Sequence, residues 1–346
     1  MPFKIGNIEI GGEKSPYCIA EVGINHNGSM DLAMEMIKVA KESGADAVKF
    51  QTFKAIEFCD KNQKYTYKSQ ENIVVELMLD MFQRYEFSNK QWFDIKKKCD
   101  RESITFLSTP QNVSDLNLLL KVGMPAVKIG SDDLTNIPLI SSYAKKNLPI
   151  ILSSGMSDLA EVYNAINAAG GFDNNSVAVL LCTSQYPTPA EEVNLARLST
   201  LKNAFTGITI GFSDHTQGSL ASSLSVALGA EILEKHFTLD NNLPGPDHWF
   251  SENPEGLKNW VDSIRLSHTM KGCSLIRPTP LELKNKSEFQ RVIVASSNIN
   301  KREVLSLKNI SMQRVKGGNG IKPIFLDYLI GTKAHKSHKK GEAIEL

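Results

Sequence analysis

Eight times in the first 240 residues, a short apolar run rich in β-branched residues stops at a polar or charged residue. The runs are CIAEVG (18–23), AVKFQT (47–52), TFLSTP (105–110), AVKIGS (126–131), PIILSSG (149–155), VAVLLCTS (177–184), ITIGFSDH (208–215) and EILEKHF (231–237). Most gaps carry apolar residues at helical spacing; in 30–45, Leu32, Met36, Val39 and Ala40 make one face. Strands alternating with helices predict parallel β-α-β units, and eight such units close a (β/α)8 barrel. In such a barrel the chemistry sits where strands end and βα loops begin. The strand-end residues are therefore the candidates: Glu21, Lys49, Gln51, Thr109, Lys128, Ser131, Ser153, Thr183, Ser184, Ser213, His215 and His236.

Residues 5–14 read as a hairpin closing the bottom of the barrel, and 53–80 as a long polar insertion above its mouth. A Pro-, Gly- and Asn-rich stretch (240–256) forms a second mouth loop. The last barrel helix follows, with Asn253 as N-cap and Pro254 at its first position. Two prolines in 276–289 break helical periodicity, so this stretch reads as a linker. From Arg291 the texture changes to short strands and turns. The expected organisation is a barrel over 1–280, a linker over 281–290 and a small β-rich domain over 291–346. A module this small is marginal alone, which predicts that it rests on a barrel, its own or a partner's.

Composition narrows the class. The chain has 346 residues, 41% hydrophobic and 22% charged, with net charge +1, so no field steers it to nucleic acid. No run is long enough for a membrane span, and the N-terminus lacks a signal-peptide pattern. Five cysteines without a CxxC pair read as buried thiols in a reducing cytoplasm.

Residues two apart on a strand share a face. Lys49 pairs so with Gln51, Ser213 with His215, and Glu234 with His236. His215 and His236 end strands of adjacent index, so their imidazoles converge either on a divalent metal or on each other as hydrogen-bonded strand-end histidines. Asp247 supplies a carboxylate near them. Lys49 and Lys128 each interrupt an apolar strand, and a buried ammonium needs an anion. With Thr109, Ser131, Ser153 and Ser213 at the same rim, they predict a phosphate or carboxylate site; a Schiff base on either lysine is the alternative. Glu21 is placed for a sugar hydroxyl or acid–base work, and Tyr186 for a platform over a ligand. His26, Asn27 and Ser29 read as turn and cap residues. His248 and Trp249 read as loop packing or mouth residues, and His335 and His338 as a solvated basic face.

The segments EVGINHNGS, VKFQTF, STP, KIGSDDLTNIPL, ILSSGM, CTSQYPTP, GFSDHT, LEKHFT and GPDHWFS together resemble the sialic acid synthase family, in order and over essentially the whole chain. The resemblance implies a barrel followed by an antifreeze-like module, condensing phosphoenolpyruvate with an N-acylated hexosamine and releasing phosphate by C–O cleavage. It implies a divalent metal, Mn or Mg, on His215 and His236. It assigns phosphoenolpyruvate to Lys49, Thr109, Lys128, Ser131, Ser153, Ser184 and Ser213, and the sugar to Glu21, Gln51, Tyr186, Asp247 and Arg314. Asp133 and Glu21 become the acid–base candidates, and a domain-swapped homodimer the expected assembly. The implied products are N-acetylneuraminate or legionaminate, with pseudaminate as alternative.

Three departures stand out against the family: KIGSDD for KIGSGE, CTS for CTN, and VKFQTF where one bacterial branch has HQTH. Two rival readings remain: a Schiff-base pyruvate lyase, and a carbohydrate- or ice-binding protein suggested by the C-terminal module.

Overall fold

The computed structural model describes residues 3–173 and 175–345. It divides into two compact units, Met1–Gly272 and Cys273–Leu346. The first opens with an antiparallel hairpin, β1 (Phe3–Ile5) and β2 (Ile8–Ile10), followed by β3 (Tyr17–Gly23) and β4 (Ala47–Thr52). A second hairpin, β5 (Lys64–Ser69) and β6 (Asn72–Leu77), stands inside the expected insertion, between short helices Ala55–Phe58 and Met78–Gln83. Six strands complete the unit: β7 (Thr105–Pro110), β8 (Val127–Ile129), β9 (Ile150–Ser153), β10 (Val177–Cys182), β11 (Thr209–Asp214) and β12 (Ile232–His236).

The sheet runs β7-β4-β3-β12-β11-β10-β9-β8 with its neighbouring strands paired in parallel, and β7 and β8 touch across the remaining gap. This is the (β/α)8 barrel that the eight runs predict, each within two residues of its expected ends. Strands covered on both faces read as nearly continuous apolar runs, which is why the pattern was so plain.

Two apolar layers hold the unit together. Outside the strands, helices such as Met30–Glu42 bury Ala33, Met36, Ile37 and Ala40. Leu32 and Val39, expected on that face, lie at its half-buried edges. Inside, Ile19, Ala47, Leu107, Ala126, Ile151, Leu180 and Ile232 form a floor plugged by Phe3, Ile5 and Ile10 of the first hairpin. Gly211 belongs to this interior, because a Cβ there would collide with the Ile232 carbonyl and the Leu180 side chain. Helix Pro254–Lys271 closes the unit, with the Asn253 side chain accepting from Gly256 N at 2.8 Å. It does not qualify as a membrane span, nor does any other helix among the described residues.

In the second unit, β13 (Val292–Ala295) pairs antiparallel with β14 (Ile310–Gln313) over a core of Ile293, Ile299, Leu305, Leu329 and Ile344. The linker expected over 281–290 is instead a helix, Pro280–Phe289. Thr279 caps it in a capping box and Pro280 takes its first turn, where a missing N–H costs nothing. His338, expected on a solvated face, is buried at 2% exposure, while His335 is exposed. Cys273 is exposed and the other four cysteines are buried; all five are free.

Candidate active site

The strand period carries each barrel strand from the apolar floor to a polar layer above it. Ile19 is followed on its face by Glu21, Ala47 by Lys49 and Gln51, Leu107 by Thr109, Ala126 by Lys128, and Ile151 by Ser153. Ile232 is likewise followed by Glu234 and His236. This upper layer lines a cavity of about 810 Å³. A separate hollow of about 550 Å³, near Leu220 and Leu224, has no ionisable side chain in its wall, so the polar cavity is the one equipped for chemistry.

At the bottom of the cavity four charged side chains, all buried, form one cluster. Lys49 Nζ lies 2.8 Å from Glu21 Oε2 and 3.7 Å from Glu234 Oε2, and Lys128 Nζ lies 3.4 Å from Glu234 Oε1. Lys49 also donates to Thr109 Oγ1 at 3.3 Å, and Lys128 to Ser153 Oγ at 2.7 Å. Ser213 Oγ donates to Glu234 Oε1 at 3.1 Å, and Gln51 Nε2 to Glu21 Oε1 at 3.4 Å. Burial pushes the Glu21 carboxyl up to about 7 despite the pull of Lys49. Burial would raise Glu234 as well, but Lys128 and Lys49 together hold it near about 2. Burial lowers Lys128; it works against the charge of Lys49 too, but there Glu21 and Glu234 prevail and the ammonium is strengthened. The two lysines, read from the sequence as a site for a phosphate or carboxylate, also face two carboxylates of the chain, and Glu234 was not among the expected site residues. Its signal was its shared parity with His236.

Beside the cluster stand the two histidines, with ring centroids 5.5 Å apart. His215 Nδ1 is 2.8 Å from the Thr183 carbonyl, which can only accept, so Nδ1 carries a proton; burial lowers this imidazole, but Cys182 and the Thr183 carbonyl outweigh it and raise it. His236 Nδ1 is buried without a hydrogen-bond partner, and Asp247 Oδ2 is 3.8 Å away. Burial, reinforced by His215, lowers His236 well below the ordinary range and keeps it neutral. Burial also raises Asp247 to about 6, against the effect of His215. Tyr186 leans on this group, 4.2 Å from the His215 ring and 5.9 Å from the His236 ring. Two imidazoles, with His236 held neutral, and a nearby carboxylate are donor types that suit a divalent cation. Among the described residues no three such side chains, these included, stand close enough to form a complete metal site by themselves.

Opposite, Gly155 N donates to Ser131 Oγ at 3.1 Å, and the buried Ser184 Oγ has no partner. A Cβ at Gly155 would collide with Ser184 Oγ, so glycine lets the two hydroxyls converge.

Three expected residues are not among those lining this cavity: Thr183, whose carbonyl faces His215 Nδ1, Asp133 and Arg314. Asp133 accepts from Asn136 Nδ2 at 2.9 Å, and its neighbour Asp132 lines the cavity instead. The strand period ends at Ile129, and the 3-10 turn Ser131–Asp133 re-aims the side chains. Arg314 belongs to the second unit, where it is exposed and its Cζ lies 5.9 Å from the Phe289 ring centre. Cys182, one of the cysteines expected only as buried thiols, also lines the cavity, 3.8 Å from His215 Nδ1. His26 stacks on Phe87 at 4.3 Å, Ser29 caps helix Met30–Glu42, and His248 is packed between Thr238 and Asn27. Trp249 lines the cavity.

The insertion supplies the outer wall through Phe58, Tyr65, Tyr67, Lys68, Met78 and Phe82. Its hairpin is tied to the loop bearing Asp247: Gln70 Nε2 donates to Asn242 O at 2.6 Å, and Gly245 N to Ser69 Oγ at 2.9 Å.

Comparison with known proteins finds the NeuB family profile matching residues 36–276. The N,N'-diacetyllegionaminic acid synthase of Campylobacter jejuni is 38% identical, covering 96% of this chain and 99% of that protein. The enzyme of the same name from Legionella pneumophila is 36% identical, covering 96% and 94%. Among solved structures, the N-acetylneuraminic acid synthetase of Leptospira borgpetersenii superposes with TM-score 0.74 at 32% identity, covering 83% of this chain and 95% of that one.

Proposed function

Because the chain belongs to the NeuB family, we propose that its acceptor is an N-acylated mannosamine-type sugar and that the cavity residues described above carry the reaction. It is a nonulosonic acid synthase, an enzyme that condenses phosphoenolpyruvate with a sugar. The observation that carries the site assignment is the convergence of Lys49, Lys128, His215 and His236 in one cavity.

Lys49 and Lys128 hold the anionic groups of phosphoenolpyruvate, with Thr109, Ser131, Ser153, Ser184 and Ser213 as hydroxyl partners. Ser184 Oγ, buried and unpartnered, has a free hydrogen bond for that ligand. Glu21, Gln51, Tyr186 and Asp247 face the sugar. His215 Nε2 and His236 Nδ1 would hold a divalent cation, Mn or Mg, near Asp247. When bound, such a cation polarises the aldehyde oxygen of the open-chain sugar.

Carbon 3 of phosphoenolpyruvate forms the new bond to sugar carbon 1, whose oxygen takes up a proton. Water adds at carbon 2, and the carbon–oxygen bond to phosphate then breaks, releasing phosphate with its bridging oxygen. The lysines stabilise the charge on the departing phosphate. Glu21 is the buried carboxyl placed for proton transfer, and Asp132 takes the rim position that the sequence assigned to Asp133. Arg314 contributes to the site of a second copy in a swapped homodimer, and the free cysteines agree with a cytoplasmic setting.

The test is phosphate release from phosphoenolpyruvate labelled with ¹⁸O at the bridging position, in the presence of N-acetylmannosamine or its 2,4-diacetamido-6-deoxy relative. Label recovered in phosphate supports the reading. Label retained in the sugar product, or inactivation by borohydride with substrate present, contradicts it.

A further inference from the structure

We propose that Lys235 and Glu252 are positioning residues that set the two histidine rings from behind. Divalent-cation affinity then depends on two side chains that are not themselves donors to it. The inference rests on the metal reading above, in which His215 and His236 hold the cation.

No three donors among the described residues complete a metal site by themselves. The hold on a cation therefore depends on where the two rings stand, 5.5 Å apart between centroids. The register between β11 and β12 ends one residue short of them, at Asp214 opposite Lys235. Contacts beyond the ladder must fix one ring against the other.

Lys235 and Glu252 supply those contacts. Lys235 bridges both flanks of His215, with its Nζ 3.1 Å from Asp214 Oδ2 and donating to Thr216 O at 2.6 Å. Asp214 Oδ1 tightens the same turn, accepting from Thr216 N at 2.9 Å and Thr216 Oγ1 at 2.7 Å. Glu252 brackets His236 through its backbone: its N donates to His236 O at 3.0 Å, and its O accepts from Thr238 N at 2.8 Å. Its carboxylate then crosses to the other strand end, accepting from Gly218 N at 2.7 Å and standing 3.8 Å from Lys235 Nζ. A Cβ at Gly256 would collide with Glu252 Oε2, so glycine leaves that carboxylate its room.

Packing alone does not call for this clasp. The outward residues below it, Ile210, Phe212 and Leu233, belong to the apolar layer under the helices. Asp214 and Lys235 are as deeply buried, at 1% and 2% exposure. A buried ion pair stabilises no more than well-packed apolar side chains would. Its place on the last rung before the histidines is accounted for by geometry rather than by stability.

The experiment titrates the metal-stripped full chain with Mn²⁺ in a calorimeter, without substrate, and follows urea unfolding of every variant alongside. The variants are Lys235→Met, Glu252→Ala, Glu252→Gln and Trp260→Phe. The last removes the donor to Ser222 Oγ at the far end of the network. Lys235→Met and Glu252→Ala should weaken Mn²⁺ binding by about 10–100-fold, the scale that outer partners of metal ligands set. Glu252→Gln keeps an oxygen for Gly218 N and should recover most of that loss. Trp260→Phe should lose stability and keep its affinity. Glu252 is only half-buried, so Glu252→Ala decides alone if Lys235→Met does not fold. Wild-type affinity in Glu252→Ala, an equal loss in Glu252→Gln, or an equal loss in Trp260→Phe overturns the positioning role and leaves the metal reading intact. No Mn²⁺ binding by the wild-type chain overturns both.

Discussion

Glu21 Oε2 and Lys49 Nζ face each other at 2.8 Å across the pairing of β3 with β4, both side chains buried. A pair like this contributes little by forming, yet removing one partner leaves an unpaired buried charge and costs ~3–5 kcal/mol. Lys49→Met is therefore expected to lower stability as well as ligand affinity. For either Lys49→Met or Lys128→Met, phosphoenolpyruvate binding should weaken by ~2–5 kcal/mol. Isothermal titration of variants shown by circular dichroism to be folded checks this, and unchanged affinity contradicts the anion site.

His236→Ala should abolish divalent-metal binding and nearly all turnover while keeping the fold, because one imidazole makes a weak site. Titration of the metal-stripped chain with Mn²⁺ reads the binding directly. Full activity in chelator, with no metal found by elemental analysis, would sink the assignment.

Behind the histidines, Lys235 Nζ lies 3.1 Å from Asp214 Oδ2 and donates to Thr216 O at 2.6 Å. Asp214 also accepts from Ser222 Oγ at 2.5 Å, and Ser222 Oγ accepts from Trp260 Nε1 at 2.8 Å. Lys235→Met strands Asp214 in this buried network, so a loss of ~3–5 kcal/mol is expected in urea unfolding. A loss below 1 kcal/mol, on the order of an exposed pair, contradicts it.

Asp115 is buried at 3% exposure and accepts from Asn112 N at 3.0 Å. Burial raises its carboxyl to about 7, with Glu57 and Glu86 pushing the same way and Lys54 opposing. A raised carboxyl stabilises below its unfolded value of 3.8, and that contribution is lost as pH rises through about 7. Asp115→Asn keeps an acceptor but no titration. Its stability relative to wild type should therefore improve from pH 5 to pH 8, and a flat difference across that range contradicts the shift.

Arg314→Ala chains mixed with His236→Ala chains test the swapped dimer. Each parent should be nearly inactive, and heterodimers should regain one intact site and a fraction of wild-type turnover. A mixture that stays inactive after verified subunit exchange removes Arg314 from a shared site.

What the amino-acid order determined by itself was the barrel and the inward side of each strand. Eight apolar runs fix where strands lie, and a period of two fixes that Lys49 and Gln51, or Glu234 and His236, look the same way. Lys49, Lys128, His215 and His236 were legible for that reason. Parity says which face a residue takes but not what it meets across the barrel, so Glu234 as the counter-charge of both lysines required the closed sheet. Parity also ends with the strand. The 3-10 turn after β8 gave the cavity Asp132 and left Asp133 to Asn136. Pro280 looked like a break because composition cannot tell a first-turn proline from an interior one; Thr279 and the capping box decided it. The apolar wall of the insertion was hidden in a stretch that reads as polar, because its Phe58, Met78 and Phe82 are far apart in sequence. Only packing brings them to one surface.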